Sequence, residues 1–224
     1  MPKLTGQQLE QRRGRILNAA EACFARAGFH RTTMQEICRE AGISAGAFYV
    51  YFESKEALIE GLSTREREKV IAAFQTLTES ADFGAAMEQV LQDTVIGKPR
   101  SEICLYLEMG SEATRNPAVA ATMQRCDGMI LSALRDLLER ARAQGRIDPL
   151  MPVDQIVQML AIVADGMFWR RALDPAFDAR AIGQTILSMV GDLVRPVPLT
   201  DAPEGKSGKP AGRIGQIKQL ETRA

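Results

Sequence analysis

At 224 residues the chain is long enough to bury a full core, and its composition, 46% apolar, 25% charged and 5% aromatic, lies close to ordinary globular values. The formal net charge is zero, which excludes bulk attraction to nucleic acid or membrane and confines any such contact to a local patch. Residues 1–60 carry 8 Lys and Arg against 7 Asp and Glu, residues 61–194 carry 14 against 18, and residues 195–224 carry 6 against 3, so the ends are basic and the middle acidic.

The first predicted element runs over Gln8–Ala27, where Ile16, Leu17, Ala20, Cys23, Phe24 and Ala27 fall on one face of a helix and Gly28 ends it. A second, roughly Thr33–Ala41, follows; Thr32 or Thr33 can cap it, and Glu36 stands three residues after Thr33 as a capping-box partner. Gly42 suits a sharp turn, and Ser44 can cap a third helix two residues later, so two short helices are joined by about three residues, the geometry of a helix-turn-helix. Ser54 caps a longer helix reaching about Leu77. Further helices are expected over Phe83–Ile96, Glu102–Arg115, Pro117–Gln144, Pro152–Leu173 and Phe177–Val194, separated by Gly and Pro breaks. No alternating strand pattern and no internal repeat is found, so the fold class is all-α, with a three-helix helix-turn-helix domain over 1–53 and a larger helical domain over 54–194. From Arg195 the sequence is rich in Pro, Gly and charge and reads as a flexible basic tail, 195–224.

No charged-then-apolar leader and no apolar run near the ~20 residues of a membrane span is present, so a cytoplasmic protein without a membrane partner is expected. Cys23, Cys38, Cys104 and Cys126 lack metal-like spacing and are either inert packing residues or, for Cys126 between Arg125 and Asp127, a redox sensor. No cofactor or metal is expected. With one histidine, His30, no paired-carboxylate signature and no phosphate loop, an enzyme is not expected either.

Recognition helices need small side chains that let the backbone approach the major-groove floor, and Ser44, Ala45, Gly46 and Ala47 form such a surface. Tyr49, one turn after Ala45, can donate to a phosphate, and Lys55 in the first turn of the next helix adds charge. Tyr51 divides between packing and backbone contact, whereas Phe48 and Phe52 space with Ile37 and Leu58 as core. The arm residues Lys3, Arg12, Arg13 and Arg15 either touch phosphates or form a solvated helix start.

The stretch Met34 to Leu58 resembles the DNA-binding domain of TetR-type repressors, with Gly42, Ile43, Ser44, Gly46, Phe48, Tyr49, Tyr51, Phe52, Ser54, Lys55, Glu56 and Leu58 matching that family's pattern. The resemblance implies phosphate contacts from Thr33, Tyr49 and Lys55, and base-facing positions at Ser44, Ala45, Gly46, Ala47 and Tyr49. It implies a ligand-responsive regulator, a repressor by default, that binds palindromic double-stranded operator DNA as a homodimer and is released by a small-molecule effector. Many relatives carry Lys, Arg or Gln where this chain has Ala45, so bidentate base readout is thin here. The runs Glu108–Pro117 and Asp165–Leu173 look like the C-terminal domain of a branch with choline-responsive and efflux-controlling members, which points to a lipophilic or cationic effector.

A pocket is expected among the middle helices, lined by Leu105, Glu108, Met109, Met123, Ile130, Leu134, Asp165, Phe168 and Trp169. Glu108 and Asp165 each interrupt an apolar run and either meet a cationic effector or pair internally. The last two helices carry more apolar positions than one inward face needs, so Ile156, Val163, Met167, Ile182, Ile186, Met189, Val190 and Leu193 form either a self-association surface or intramolecular core. The competing function is an all-helical small-molecule binding protein that keeps the fold without specific DNA binding.

Overall fold

A computed structural model describes residues 5–80 and 82–197. The helices are α1 (Gly6–Ala27), α2 (Met34–Ala41), α3 (Ala45–Phe48), α4 (Lys55–Glu79), α5 (Phe83–Leu91), α6 (Arg100–Ala113), α7 (Pro117–Ala143), α8 (Val153–Leu173) and α9 (Ala179–Val194). Side-chain caps start most of them. Thr33 and Glu36 form a reciprocal capping box on α2, Thr5 and Gln8 do the same on α1, and Ser44, Ser54, Asp82, Asn116 and Asp178 each accept from a first-turn N–H. The expected helix over Phe83–Ile96 is split, because α5 passes into a π-helical turn at Gln92–Ile96. The Arg171 guanidinium donates to the carbonyls of Val95 and Lys98 there, satisfying acceptors that an ordinary helix end would leave open.

Among the described residues, three apolar clusters organise the fold. The first joins Ile16, Leu17, Ala20 and Phe24 of α1, Ile37 of α2, Phe48 and Phe52, and Leu58, Ile59 and Leu62 of α4 to Leu105 and Met109 of α6 and Val119 of α7. The core of the helix-turn-helix is therefore closed by α4, α6 and α7 as well as by residues before Ser54. The second lies between α4, α5, α7, α8 and α9, around Leu77, Leu137, Leu138 and Ile156. The third sits at the other end of α8, where Met167, Phe168 and Ala172 meet Val95 and Ile103. Helix α4 enters the first two, so displacing it disturbs both.

Arg195 adopts a left-handed backbone that ends α9, after which Pro196 bridges to Ile147 and the Val197 N–H donates to the Arg146 carbonyl at 2.8 Å. The segment expected to leave the fold at Arg195 thus remains attached to the α7–α8 turn through Val197. The rest of that segment lies outside the described residues.

Candidate nucleic-acid interface and the seam behind it

The α2–α3 unit owes its geometry to three local choices. Gly42 takes φ 67°, a left-handed turn that a side chain disfavours, directly after α2. Ser44 Oγ then accepts from the Ala47 N–H at 3.2 Å and starts α3. Phe48 and Phe52, at 0% and 2% exposure, pin one side of this segment into the first core. The opposite side is open: Ser44, Ala45 and Gly46 are exposed, as are Tyr49 and Val50, while Ala47 is half-buried. Tyr51 is half-buried against the first core. Thr33 is exposed, but its hydroxyl donates to Glu36 Oε2 at 2.9 Å and accepts from the Glu36 N–H at 3.2 Å. The Thr33 N–H, which donates to the same Oε2 at 2.7 Å, and then the Thr33 hydroxyl hold the Glu36 carboxyl below the usual range.

Lys55 has an internal task. Its Nζ donates to the carbonyls of Phe29 at 2.6 Å, Thr32 at 2.8 Å and His30 at 3.4 Å, and it stands 4.6 Å from the Phe29 ring centroid. Partial burial lowers its pKa against the raising influence of nearby glutamates, Glu56 foremost. Three donors are matched to three carbonyls, so the ammonium organises the α1–α2 turn.

Behind that turn, α6 supplies two carboxylates one helical turn apart. Glu108 Oε1 accepts from the Phe29 N–H at 2.8 Å. Glu112, buried, has Oε2 2.9 Å from His30 Nε2 and 2.8 Å from Arg115 Nε. Burial pushes the Glu112 carboxyl up, but hydrogen bonds from Asn116 and Arg115 and the charges of Arg115 and His30 outweigh it and hold the group below its usual range. The seam between the helix-turn-helix and the rest of the chain thus adds these polar pairs to the apolar contacts of Leu105, Met109 and Val119. Sequence reasoning missed Phe29 and placed Glu112 and Arg115 only within the Glu108–Pro117 run, without partners; the further signal available was the spacing of Glu108 and Glu112 at i and i+4.

The nine residues expected to line an effector pocket fall into separate environments. Leu105 and Met109 are buried in the first core with Met123 against it, and Glu108 faces Phe29. Ile130 and Leu134 belong to the second core and Phe168 to the third. Trp169 is 56% exposed. Asp165, exposed on α8, accepts from the Tyr106 hydroxyl at 3.0 Å, and the Tyr106 and Phe168 rings meet edge to face at 5.5 Å. Asp127 of α7 belongs to the same neighbourhood: burial first, and the Asp165 charge second, push its carboxyl up. Tyr106 and Asp127 were not anticipated, since each reads from sequence as an ordinary helical position.

Of the residues expected at a self-association surface, Ile156, Met167 and Val190 are buried in the protomer's own core. Both faces of α8 and α9 are used there, which the surplus of apolar positions concealed. Ile182 and Met189 are exposed, Val163, Ile186 and Leu193 are half-buried, and Ile162, not anticipated, is 71% exposed. A cleft of about 330 Å³ between α5 and α9, lined by Phe83, Met87, Leu187 and Gly191, and one of about 450 Å³ on α8, beside Met159, Ile162 and Val163, contain none of the nine pocket residues. Among the described residues no group of three or more His, Cys, Asp and Glu side chains could hold a metal ion, and no helix is long and apolar enough to cross a membrane.

Comparison with known proteins bears on both halves of the chain. Residues 16–62 match the family described as "Bacterial regulatory proteins, tetR family", and residues 81–195 match "BetI-type transcriptional repressor, C-terminal". The HTH-type transcriptional regulator UidR of Escherichia coli is 28% identical over 182 residues, 81% of this chain and 92% of that protein. The HTH-type transcriptional repressor Rv1474c of Mycobacterium tuberculosis is 25% identical over 173 residues, 77% and 88% of the two chains. Among solved structures, Salmonella enterica GusR superposes with a TM-score of 0.71 at 28% identity, covering 87% of this chain and all 100% of that one. Reduced NemR of Escherichia coli, at 20% identity and a TM-score of 0.67 over 82% of this chain and 97% of its own, has the same fold.

Proposed function

The chain belongs to the TetR family of helix-turn-helix transcriptional regulators, and from that premise we propose that it acts as a homodimeric repressor whose two α3 helices occupy the half-sites of a palindromic operator until a small molecule bound behind them releases the DNA. The observation that carries this reading is the one-sidedness of α3, with Phe48 and Phe52 sealed while Ser44, Ala45, Gly46 and Tyr49 stand open. Tyr49 offers a hydroxyl to phosphate, and the small residues let the backbone approach the groove.

A helix-turn-helix monomer touches one half-site, so useful affinity comes from a second copy. The exposed apolar side chains Ile162, Ile182 and Met189 on α8 and α9 support a four-helix contact between protomers. The effector region lies around Tyr106, Asp127, Asp165 and Phe168, where Asp165 accepts from the Tyr106 hydroxyl beside the Phe168 ring and its charge reaches the partly buried Asp127. That chemistry suits a cationic or lipophilic molecule, since a bound cation would offset both the burial and the lesser Asp165 repulsion that raise the Asp127 carboxyl. Displacement of α6 would reach the helix-turn-helix through Glu108 and Glu112, which hold Phe29 and His30. The protein would then work in the cytoplasm, where its DNA is.

DNase footprinting on the DNA upstream of the chain's own gene tests the reading. Two protected half-sites about one helical turn apart are expected. A single short footprint, or none there and none on selected random DNA, would overturn it.

A further inference from the structure

On α3 and the turn after it, Ala45, Gly46, Tyr49 and Val50 stand at i, i+1, i+4 and i+5, and all four are exposed, opposite the buried Phe48 and Phe52. Val50 is 77% exposed, more than any other large apolar side chain among the described residues. No long amide or charged side chain lies on this face, so the bidentate hydrogen bonds that usually select guanine or adenine have no donor or acceptor here. Gly46, one turn before Val50, has nothing of the protein within 4 Å of where a Cβ would stand. Packing within the protomer therefore does not require a glycine at 46. An open approach beside an aliphatic side chain remains.

In the major groove the base edges offer one apolar group, the C5-methyl of thymine. We propose that Val50 reads a thymine methyl in each half-site, seated in the opening left by Gly46, so that the operator is selected at that step by apolar contact. The assignment rests on the operator-binding function proposed above and goes beyond it in naming the residue and the base. Continuity with the open surface of α3 fixes the occupant, because Val50 directly follows Tyr49 and is exposed with it, Ala45 and Gly46.

The test is an operator, found by footprinting or selection, in which symmetric pairs of thymines are replaced in turn by uracil, which lacks only the methyl group. At one pair, wild-type Kd is expected to rise about fourfold per half-site and so about 15-fold overall, while Val50→Ala, already weakened, shows no further loss there. Because Val50 is exposed, Val50→Ala is expected to keep the wild-type melting temperature, and a thermal scan confirms that the comparison is between folded proteins. Binding that ignores uracil at every position, or a uracil penalty equal in wild type and Val50→Ala, overturns the assignment alone. Failure to bind any DNA at low salt overturns the operator-binding function and this assignment with it.

Discussion

Glu108 of α6 and Phe29, 79 residues apart in sequence, are joined by a 2.8 Å hydrogen bond from the Phe29 N–H to Glu108 Oε1. The bond forms because Gly28 ends α1 at φ 82° and because a Cβ on Gly28 would stand 2.8 Å from that same Oε1. Glu108→Ala is expected to cost about 1–3 kcal/mol in urea unfolding, the range for a charge-assisted bond to an otherwise unpaired donor. Gly28→Ala is expected to cost a similar amount, and the double variant less than the sum, since the bond is lost once. Additive losses would mean that the two residues do not share it.

Lys55 holds the other side of the same turn. Lys55→Met leaves the carbonyls of Phe29 and Thr32 without their donor and is expected to lose about 1–3 kcal/mol of stability. With the ammonium committed inside the protein, the salt dependence of DNA binding should keep its slope in this variant. A slope reduced by about two, one phosphate contact per protomer, would put Lys55 on the DNA backbone instead.

Tyr49 is 56% exposed, and its ring meets that of Phe48 edge-on at 5.6 Å. Removing its hydroxyl should leave the fold untouched. Tyr49→Phe is expected to raise the operator Kd about 5- to 30-fold in an anisotropy titration, from one hydrogen bond lost in each half-site, with the melting temperature unchanged. Unchanged affinity would remove Tyr49 from the phosphate contacts.

The raised Asp127 carboxyl makes stability depend on pH with a definite sign. The folded chain takes up this proton more readily than the unfolded chain, so its contribution is full at acid pH and is lost as pH rises through the raised value. At neutral pH the charge opposes folding. Asp127→Asn is therefore expected to melt about 2–4 °C higher at pH 7.5 and to gain less near pH 4. A lower melting temperature at pH 7.5 would show the carboxylate to be structural.

Met189, 56% exposed on α9, and Ile162 on α8 mark the surface proposed to join two protomers. Met189→Glu and Ile162→Glu are expected to shift sedimentation from dimer to monomer with helix content retained, and to weaken operator binding by more than tenfold. A wild-type chain that sediments as a monomer at micromolar concentration would contradict the dimer.

The fold was legible where a residue's role is local. Thr33, Ser44 and Ser54 cap helices within three residues of themselves, so those helix starts could be read directly, and the placing of Phe48 and Phe52 as core announced which side of α3 is open. Partners across the fold were not legible, because helical periodicity reports that a face is buried without saying by what. Glu108 was visible as a carboxylate in an apolar run, yet only the structure pairs it with Phe29. Ile156, Met167 and Val190 looked like surplus apolar surface because α8 and α9 are each covered from more than one side.

The central claim, that α3 in a dimer reads operator DNA, is tested most directly by fluorescence anisotropy of labelled DNA from upstream of the gene, with scrambled DNA as competitor and at two salt concentrations. The account predicts tight binding that resists the competitor and weakens steeply as salt rises, through release of counterions from the contacted phosphates. No binding to either DNA at the lower salt would contradict it and leave a helical small-molecule binding protein on the same fold.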